Sequence, residues 1–318
     1  MPSVSVTAPS RLHFGLLSFG RPGVRQFGGA GVMVERPGLR LRITPNNSFQ
    51  VIGPLRERVR TIAERYRRFW ELSALPGCTV EVVSAPPEHV GLGTGTQLTL
   101  AVVAGLDRFR AVEPLDVVEL AHLAGRAARS AVGTYGFAQG GLLIEPGKLD
   151  CEPVAPLEHR IDLPDAWRIA LVIPAQQRGL SGDAERAAFG NLPAVSAETT
   201  AALVAELAEE LIPAATEGQF ERFSESLYRY GHAAGMCFAA RQGGPFASPR
   251  VAMLVETIRS LGIRGVGQSS WGPTVFAVLP NEAAADDLLA RLAPHLVDED
   301  QALVTPVCRS GARIENAD

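Results

Sequence analysis

The stretch HVGLGTGTQLT, residues 89–99, decides how this chain is read. Its glycines at 91, 93 and 95 alternate with other residues, and Thr94, Thr96 and Gln97 are interleaved with them or follow directly. An alternating run, CTVEVVS, precedes it from residue 78, and LTLAVVAGLDRF follows with helical character, so the segment reads as a strand-to-helix loop. Glycine lets a backbone approach a ligand closely. The N–H groups at a helix start favour an anion. Gly91, Gly93, Thr94, Gly95, Thr96 and Gln97 are therefore expected to bind phosphate. The pattern fits neither the dinucleotide fingerprint GxGxxG nor the P-loop GxxxxGK[ST]. Lys148, the only lysine, lies in EPGKLD, which reads as a turn.

Two other segments carry polar groups where a bare turn would not need them. In GVGQSSWGPTVFAV, residues 265–278, Gln268, Ser269, Ser270 and Trp271 stand between two apolar runs. In SRLHFGLLSFG, residues 10–20, Arg11 and His13 alternate and so share one face of a strand. Arginine suits phosphate or carboxylate, and histidine suits acid–base work or hydrogen bonding. Arg25 in RQFGGAG is expected to join them. Arg178 in QQRGLSGDAER sits on a loop bounded by glycine, where it could grip a carboxylate, with Ser181 as N-cap of the helix that follows. GTYGFAQGG, residues 133–141, reads as a further glycine-rich loop.

The remaining pattern is mixed strand and helix in two halves meeting near residue 165. The first half opens with strands through residue 34 and another in LRLRITP, then a helix in residues 54–72, whose arginines read as a solvated face. The second opens on the buried strand WRIALVIPA and closes on ALVTPVC. The chain has 318 residues, 46% of them hydrophobic, and a formal net charge of −4 with both signs interspersed, which gives no electrostatic reason to expect a nucleic-acid partner. No apolar run is long enough to span a bilayer, and the N-terminus lacks the layout of a signal peptide. Cys78, Cys151, Cys237 and Cys308 are too dispersed for a zinc pattern and read as buried thiols of a cytoplasmic protein.

Three strings in order, APSRLHFG with FGGAGVMVE, PPEHVGLGTGTQ, and GVGQSSWGPTVFAV, resemble the superfamily of galactokinase, homoserine kinase, mevalonate kinase and phosphomevalonate kinase, over essentially the whole chain. The resemblance implies an α+β fold, with a domain like ribosomal protein S5 domain 2 over residues 1–165 and a ferredoxin-like domain over residues 166–318. Those kinases usually read GLGSSA at the central loop and commonly place a catalytic aspartate where this chain has GTYGFAQGG, which holds no carboxylate. RLHFGLL, HVGLGTGTQLTLAV, RGLSGDAERAAF and GVGQSSWGPTVFAV resemble one branch in particular, the β-ribofuranosylaminobenzene 5'-phosphate synthase family of tetrahydromethanopterin biosynthesis.

That resemblance implies transfer of phosphoribose from phosphoribosyl pyrophosphate to 4-hydroxybenzoate or 4-aminobenzoate, with loss of CO2 and pyrophosphate. Mg²⁺ is expected as cofactor and a homodimer as the assembly, while no carboxylate is clearly placed as a metal ligand. On this reading Arg11, His13 and Gln268 act on the reacting groups, with Arg11 or Arg178 orienting the benzoate and His13 or Gln268 meeting its ring substituent. Arg25, Arg178, Ser181, Ser269, Ser270 and Trp271 bind substrate. No adjacent-acid loop of the ordinary phosphoribosyltransferases is present, since Asp286 and Asp287 lie in a helical pattern. The rival readings are an ATP-dependent small-molecule kinase and a non-catalytic sensor of a phosphate ligand.

Overall fold

The computed structural model describes residues 2–317 apart from 126, 128, 176 and 181. The first sheet is built on two long strands, β1 (Ser3–Ser18) and β2 (Phe27–Pro45), with the short β3 (Gln50–Ile52), β4 (Cys78–Ser84), β5 (Leu142–Glu145) and β6 (His159–Ile161). Its path is β11-β1-β2-β4-β3, with β5 on β2 and β6 on β5. β11 is the last strand of the chain, Arg313–Ala317, and it pairs antiparallel with β1 so that Ser3 faces Ala317. The chain thus returns to its first sheet after visiting the second. LRLRITP continues β2 rather than forming a strand of its own.

The second sheet contains β7 (Arg168–Ile173), β8 (Val266–Gln268), β9 (Val275–Leu279) and β10 (Gln301–Pro306) in the order β10-β7-β9-β8, antiparallel throughout. This order, with helices between β7 and β8 and between β9 and β10, is the ferredoxin-like arrangement. The fold is α+β, as the sequence implies.

Helices of the first half are α1 (Arg56–Phe69), α2 (Thr94–Arg110), α3 (Val117–Ala124) and α4 (Val132–Gln139). α2 carries the glycine loop at its start and is buried along most of its length, between the sheet and α1, α3 and α4. Each large apolar side chain it sinks, such as Leu98, Leu106 or Phe109, contributes about 1.5–3 kcal/mol. α3 stops at Ala124, because Gly125 takes a left-handed conformation (φ +59°).

GTYGFAQGG is mostly helix, α4, and not a loop. Its glycines serve packing: a Cβ on Gly136 would lie 2.2 Å from the Met33 sulfur. The second half carries α5 (Gly182–Asn191), α6 (Ala197–Ala205) continuing through a π-helical turn, Glu206–Leu211, into α7 (Ile212–Glu217), then α8 (Phe220–Met236), α9 (Ala239–Gln242), α10 (Pro249–Ser260) and α11 (Glu282–Leu292).

One hydrophobic core lies between the two sheets. Leu12 and Phe14 of β1 and Leu92 of the glycine loop pack with Ile169 and Leu171 of β7, Phe223 and Tyr230 of α8, and Phe276 of β9. The cysteines differ from expectation at Cys151, which is exposed, and Cys237, which is half-buried; Cys78 and Cys308 are buried. Among the described residues no helix is long and apolar enough to cross a membrane.

Candidate active site

A cavity of about 730 Å³ opens where the start of α2, the middle of β1, the segment before α4, α5, the end of α8 and the loop between β8 and β9 converge. Gly93 caps α2 with φ +71° and no side chain bonds the helix start; Gly93, Thr94, Gly95 and Thr96 line the cavity at the positive end of the helix. A Cβ on Gly93 would sit 3.2 Å from the Arg11 Cβ, which is why this turn lies flat against β1. The Thr94 hydroxyl donates to Pro87 O at 2.9 Å, so it secures the loop at the cavity wall. Gln97 does not line the cavity. Its amide donates to Gly133 O at 2.8 Å, tying α2 to α4.

Arg11 is the centre of the charge. The cavity is lined by Arg11, Arg58, Arg129 and Arg186. Arg58 pairs with Glu88, Arg129 with Glu185, and Arg186 with Asp183. Among the described residues Arg11 makes no ion pair, and its Nη1 is buried without a hydrogen-bond partner. Burial lowers its pKa to about 10 against the opposing pull of Glu185 and Glu145, so it remains a cation at neutral pH. A desolvated cation without a counter-ion is costly until an anion arrives.

His13 lies two residues on and is buried. Its Nδ1 accepts from Gly15 N–H at 3.3 Å, which leaves the proton on Nε2 to donate to Ser130 Oγ at 3.0 Å. Burial and the Arg11 charge depress its pKa to about 3. It is thus a neutral hydrogen-bond donor at pH 7 and not a titrating acid or base. Its folded pKa lies below the unfolded value, so the stability this group contributes is present above about pH 6.5 and is lost as pH falls toward 3.

The late loop is held against the glycine loop by its own polar groups. Ser269 Oγ donates to Gly91 O at 2.6 Å and accepts from His13 N–H at 3.0 Å. Ser269 is fully buried and serves as this clasp, not as a substrate ligand. The Gln268 amide accepts from Ala247 N–H at 2.6 Å and donates to Ser270 O at 2.7 Å, which fixes its orientation at the cavity rim. Ser270 lines the cavity and is exposed, and its N–H donates to His13 O at 2.9 Å. Trp271 lines it too. Its indole N–H donates to Glu185 at 3.1 Å, and its ring packs edge-on against Phe238 and Phe189, with centroids 4.8 and 5.5 Å away. With Leu16 these rings form an apolar wall facing the cavity.

The remaining sequence candidates lie elsewhere. Arg25 is not at the cavity: it forms a two-pronged pair with Glu152 at 2.7 and 3.0 Å and donates to Gly147 O, pinning the turn after β5. Arg178 is exposed and donates to Glu88 O at 2.7 Å, beside the cavity mouth that Gly179 and Leu180 line. Ser181 lies outside the described residues. Because Arg25 is committed to Glu152, replacing it by alanine should leave kcat/KM unchanged; a steady-state comparison with wild type checks this, and a large loss would return Arg25 to the site.

Several lining residues escaped the sequence reading. Glu185 lies in the first turn of α5, where an acid is ordinary, yet it bridges Arg129 and Trp271. Arg129 lies 4.8 Å over the Phe189 ring. Behind Ser130, Glu145 is fully buried in β5, its Oε2 accepting from Ala131 N–H at 2.8 Å. Its only sequence signal was a lone acid in the apolar run GLLIE.

Comparison with known proteins agrees with this geometry. The family model for the N-terminal domain of GHMP kinases matches residues 57–140, and that for the C-terminal domain matches residues 211–298. β-Ribofuranosylphenol 5'-phosphate synthase of Methanothermobacter thermautotrophicus is 29% identical over 293 residues, covering 86% of this chain and 88% of that protein. The protein of the same name from Archaeoglobus fulgidus is 28% identical over 86% of this chain and 87% of its own length. Among solved structures, homoserine kinase from Cytophaga hutchinsonii superposes with a TM-score of 0.69 at 17% identity, covering 99% of this chain and 98% of that one. Mevalonate diphosphate decarboxylase from Staphylococcus aureus superposes with a TM-score of 0.65 at 14% identity, covering 99% and 98%; these two share the fold. The chain belongs to the GHMP kinase superfamily, and the curated proteins it resembles over 86% of its length are β-ribofuranosylphenol 5'-phosphate synthases.

Proposed function

We propose that this protein transfers phosphoribose from phosphoribosyl pyrophosphate to the carboxyl-bearing carbon of a para-substituted benzoate, with loss of CO2 and pyrophosphate. The observation that carries the reading is the division of the cavity. One side offers the start of α2 and the unpaired Arg11; the other is a wall of Phe189, Phe238 and Trp271. A phosphorylated donor suits the first side, and an aromatic acceptor suits the second. The relatives' name adds a phenol product, which favours 4-hydroxybenzoate over 4-aminobenzoate. α4, where the kinases commonly carry a catalytic aspartate, bears no carboxylate here, which weighs against an ATP-dependent kinase.

As the C1–pyrophosphate bond breaks, positive charge develops on the ribosyl carbon and negative charge on the leaving group. The α2 start and Arg11 hold that negative charge. The aromatic wall lays the acceptor ring so that its carboxyl-bearing carbon faces C1. The new C–C bond forms there, the ring–carboxylate bond then breaks, and its electrons restore aromaticity. Among the described residues no three His, Cys, Asp or Glu side chains converge, so the protein offers no cage for a metal. Glu185 and Thr96 are the sparse donors that suit Mg²⁺ arriving on a diphosphate, and they would hold it. If bound there, Mg²⁺ would supply positive charge to offset that of the pyrophosphate.

The test is release of labelled CO2 from carboxyl-labelled 4-hydroxybenzoate with Mg²⁺, with and without phosphoribosyl pyrophosphate. Release that requires the donor is expected. No release, together with ATP consumption in the presence of a small alcohol, would replace this reading with the kinase.

A further inference from the structure

The side of the cavity formed by α8, α9 and the loop after them is apolar, with Phe238 and Phe246 in its lining, and Gln242 is the one residue there with a polar side chain. Gln242 ends α9, and its N–H donates to Phe238 O at 3.0 Å. Residues four apart in a helical turn lie on one face, so the Gln242 amide stands beside the aromatic wall to which Phe238 belongs. The residue is half-buried, and its Oε1 is buried without a hydrogen-bond partner. The other lining glutamine, Gln268, differs: its Oε1 accepts from Ala247 N–H and its nitrogen donates to Ser270 O. An unpaired buried carbonyl costs stability until a donor reaches it. The terminal amide torsion of glutamine is soft, so a small turn presents this carbonyl to a ligand in the cavity. Its seat is firm. A Cβ on Gly235 would lie 2.3 Å from Pro245 O, so the loop after α9 rests directly on α8.

We propose that Gln242 selects the acceptor by its para substituent, with Oε1 accepting a hydrogen bond from the hydroxyl or amino group. The proposal rests on the function argued above. With the donor's diphosphate at the α2 start and Arg11, the carboxyl-bearing carbon of the acceptor faces that side. The para carbon is diametrically opposite across the ring, so its substituent points away from the charged side, along the aromatic wall.

A neutral acceptor suits the reaction as well as the fit. When the ring carbon attacks C1, the ring gains positive charge that is shared with the para oxygen or nitrogen. The hydrogen on that atom becomes strongly acidic, and its bond to Oε1 tightens as the C–C bond forms. The substituent keeps its hydrogen throughout. The new C–C bond takes one electron pair from the ring, and cleavage of the ring–carboxylate bond returns one as CO2 departs.

4-Methylbenzoate is the discriminating probe, since its methyl group has nearly the size of a hydroxyl but cannot donate. With pyrophosphate filling the donor side, calorimetric titration should show wild type binding 4-hydroxybenzoate about 10- to 100-fold more tightly than 4-methylbenzoate. Gln242→Met keeps the length of the side chain and removes the acceptor. Its preference should shrink to about 3-fold or less, and kcat for labelled CO2 release from 4-hydroxybenzoate should fall by about 10-fold or more. Because an unpaired buried acceptor is lost, the ligand-free variant should melt no lower than wild type. Gln242→Leu should repeat the collapse of the preference. Wild type that binds both benzoates equally, or variants that keep the preference, would overturn the assignment while CO2 release by wild type left the synthase reading standing. A wild type that releases CO2 from neither 4-hydroxybenzoate nor 4-aminobenzoate would instead sink the synthase reading, and this assignment with it.

Discussion

Arg11→Met should weaken binding of phosphoribosyl pyrophosphate by about 30- to 3,000-fold while leaving the ligand-free protein at least as stable as wild type. The first half follows from what Arg11 faces. Its Nη1 is buried without a partner beside the glycine loop while the side chain as a whole is half-buried at the cavity, with no ion pair among the described residues, so a phosphate would be its first direct ion-pair partner. Losing one partner of a desolvated charge pair costs about 2–5 kcal/mol, and each ~1.4 kcal/mol is tenfold in affinity. The second half follows from the same isolation. The empty protein carries an uncompensated cation, and methionine occupies similar space without it. Arg11→Lys should fall between, keeping the charge but losing the planar fork. Calorimetric titration and thermal melting of the same preparations check both halves. Unchanged affinity with a lowered melting temperature would make Arg11 a structural residue.

Gly91→Ala should remove activity and lower stability together. Gly91 has φ +91°, where an L side chain is strained, and its Cβ would meet Ser269 O at 2.3 Å. That contact is with backbone, so relief requires one loop to move off the other. The clasp through Ser269 Oγ and the bond from Thr274 Oγ1 to Val90 O oppose the movement. Strain and overpacking together should cost about 2–4 kcal/mol, read as a lower denaturant midpoint. The displaced α2 start should cost about 10²-fold in kcat/KM. Gly23→Ala separates the causes: φ there is +80°, but nothing lies within 4 Å of the added carbon. If both variants lose the same stability and activity, backbone strain alone explains the effect and the close loop contact does not matter.

The glycine loop and Arg11 were legible because their chemistry is local: flexible backbone before a helix, and a cation on a strand face. The order of strands in the second half could be followed from alternating apolar runs. β11 escaped because RIENA has no apolar alternation; it is an edge strand that gains its place through backbone pairing to β1. α4 escaped because Gly133 and Gly136 suggest a loop, whereas they admit neighbours that no local pattern reveals, Met33 among them. Arg25, Gln97, Ser269 and Gln268 have structural partners that the sequence did not announce, for a common reason. Residue type shows what a side chain can bond, but the partners Glu152, Gly133, Gly91 and Ala247 are brought by tertiary structure.

The core shared by the two sheets has a consequence for how the chain is made. Leu12, Phe14 and Leu92 emerge early in synthesis, yet their packing partners Ile169, Phe223 and Phe276 come much later. Until those arrive, the nascent first half presents a sticky apolar face, and β1 waits longer still for the strand that covers its outer edge. The first half can therefore bury that face only after the second half has emerged, and until then the face is open to aggregation.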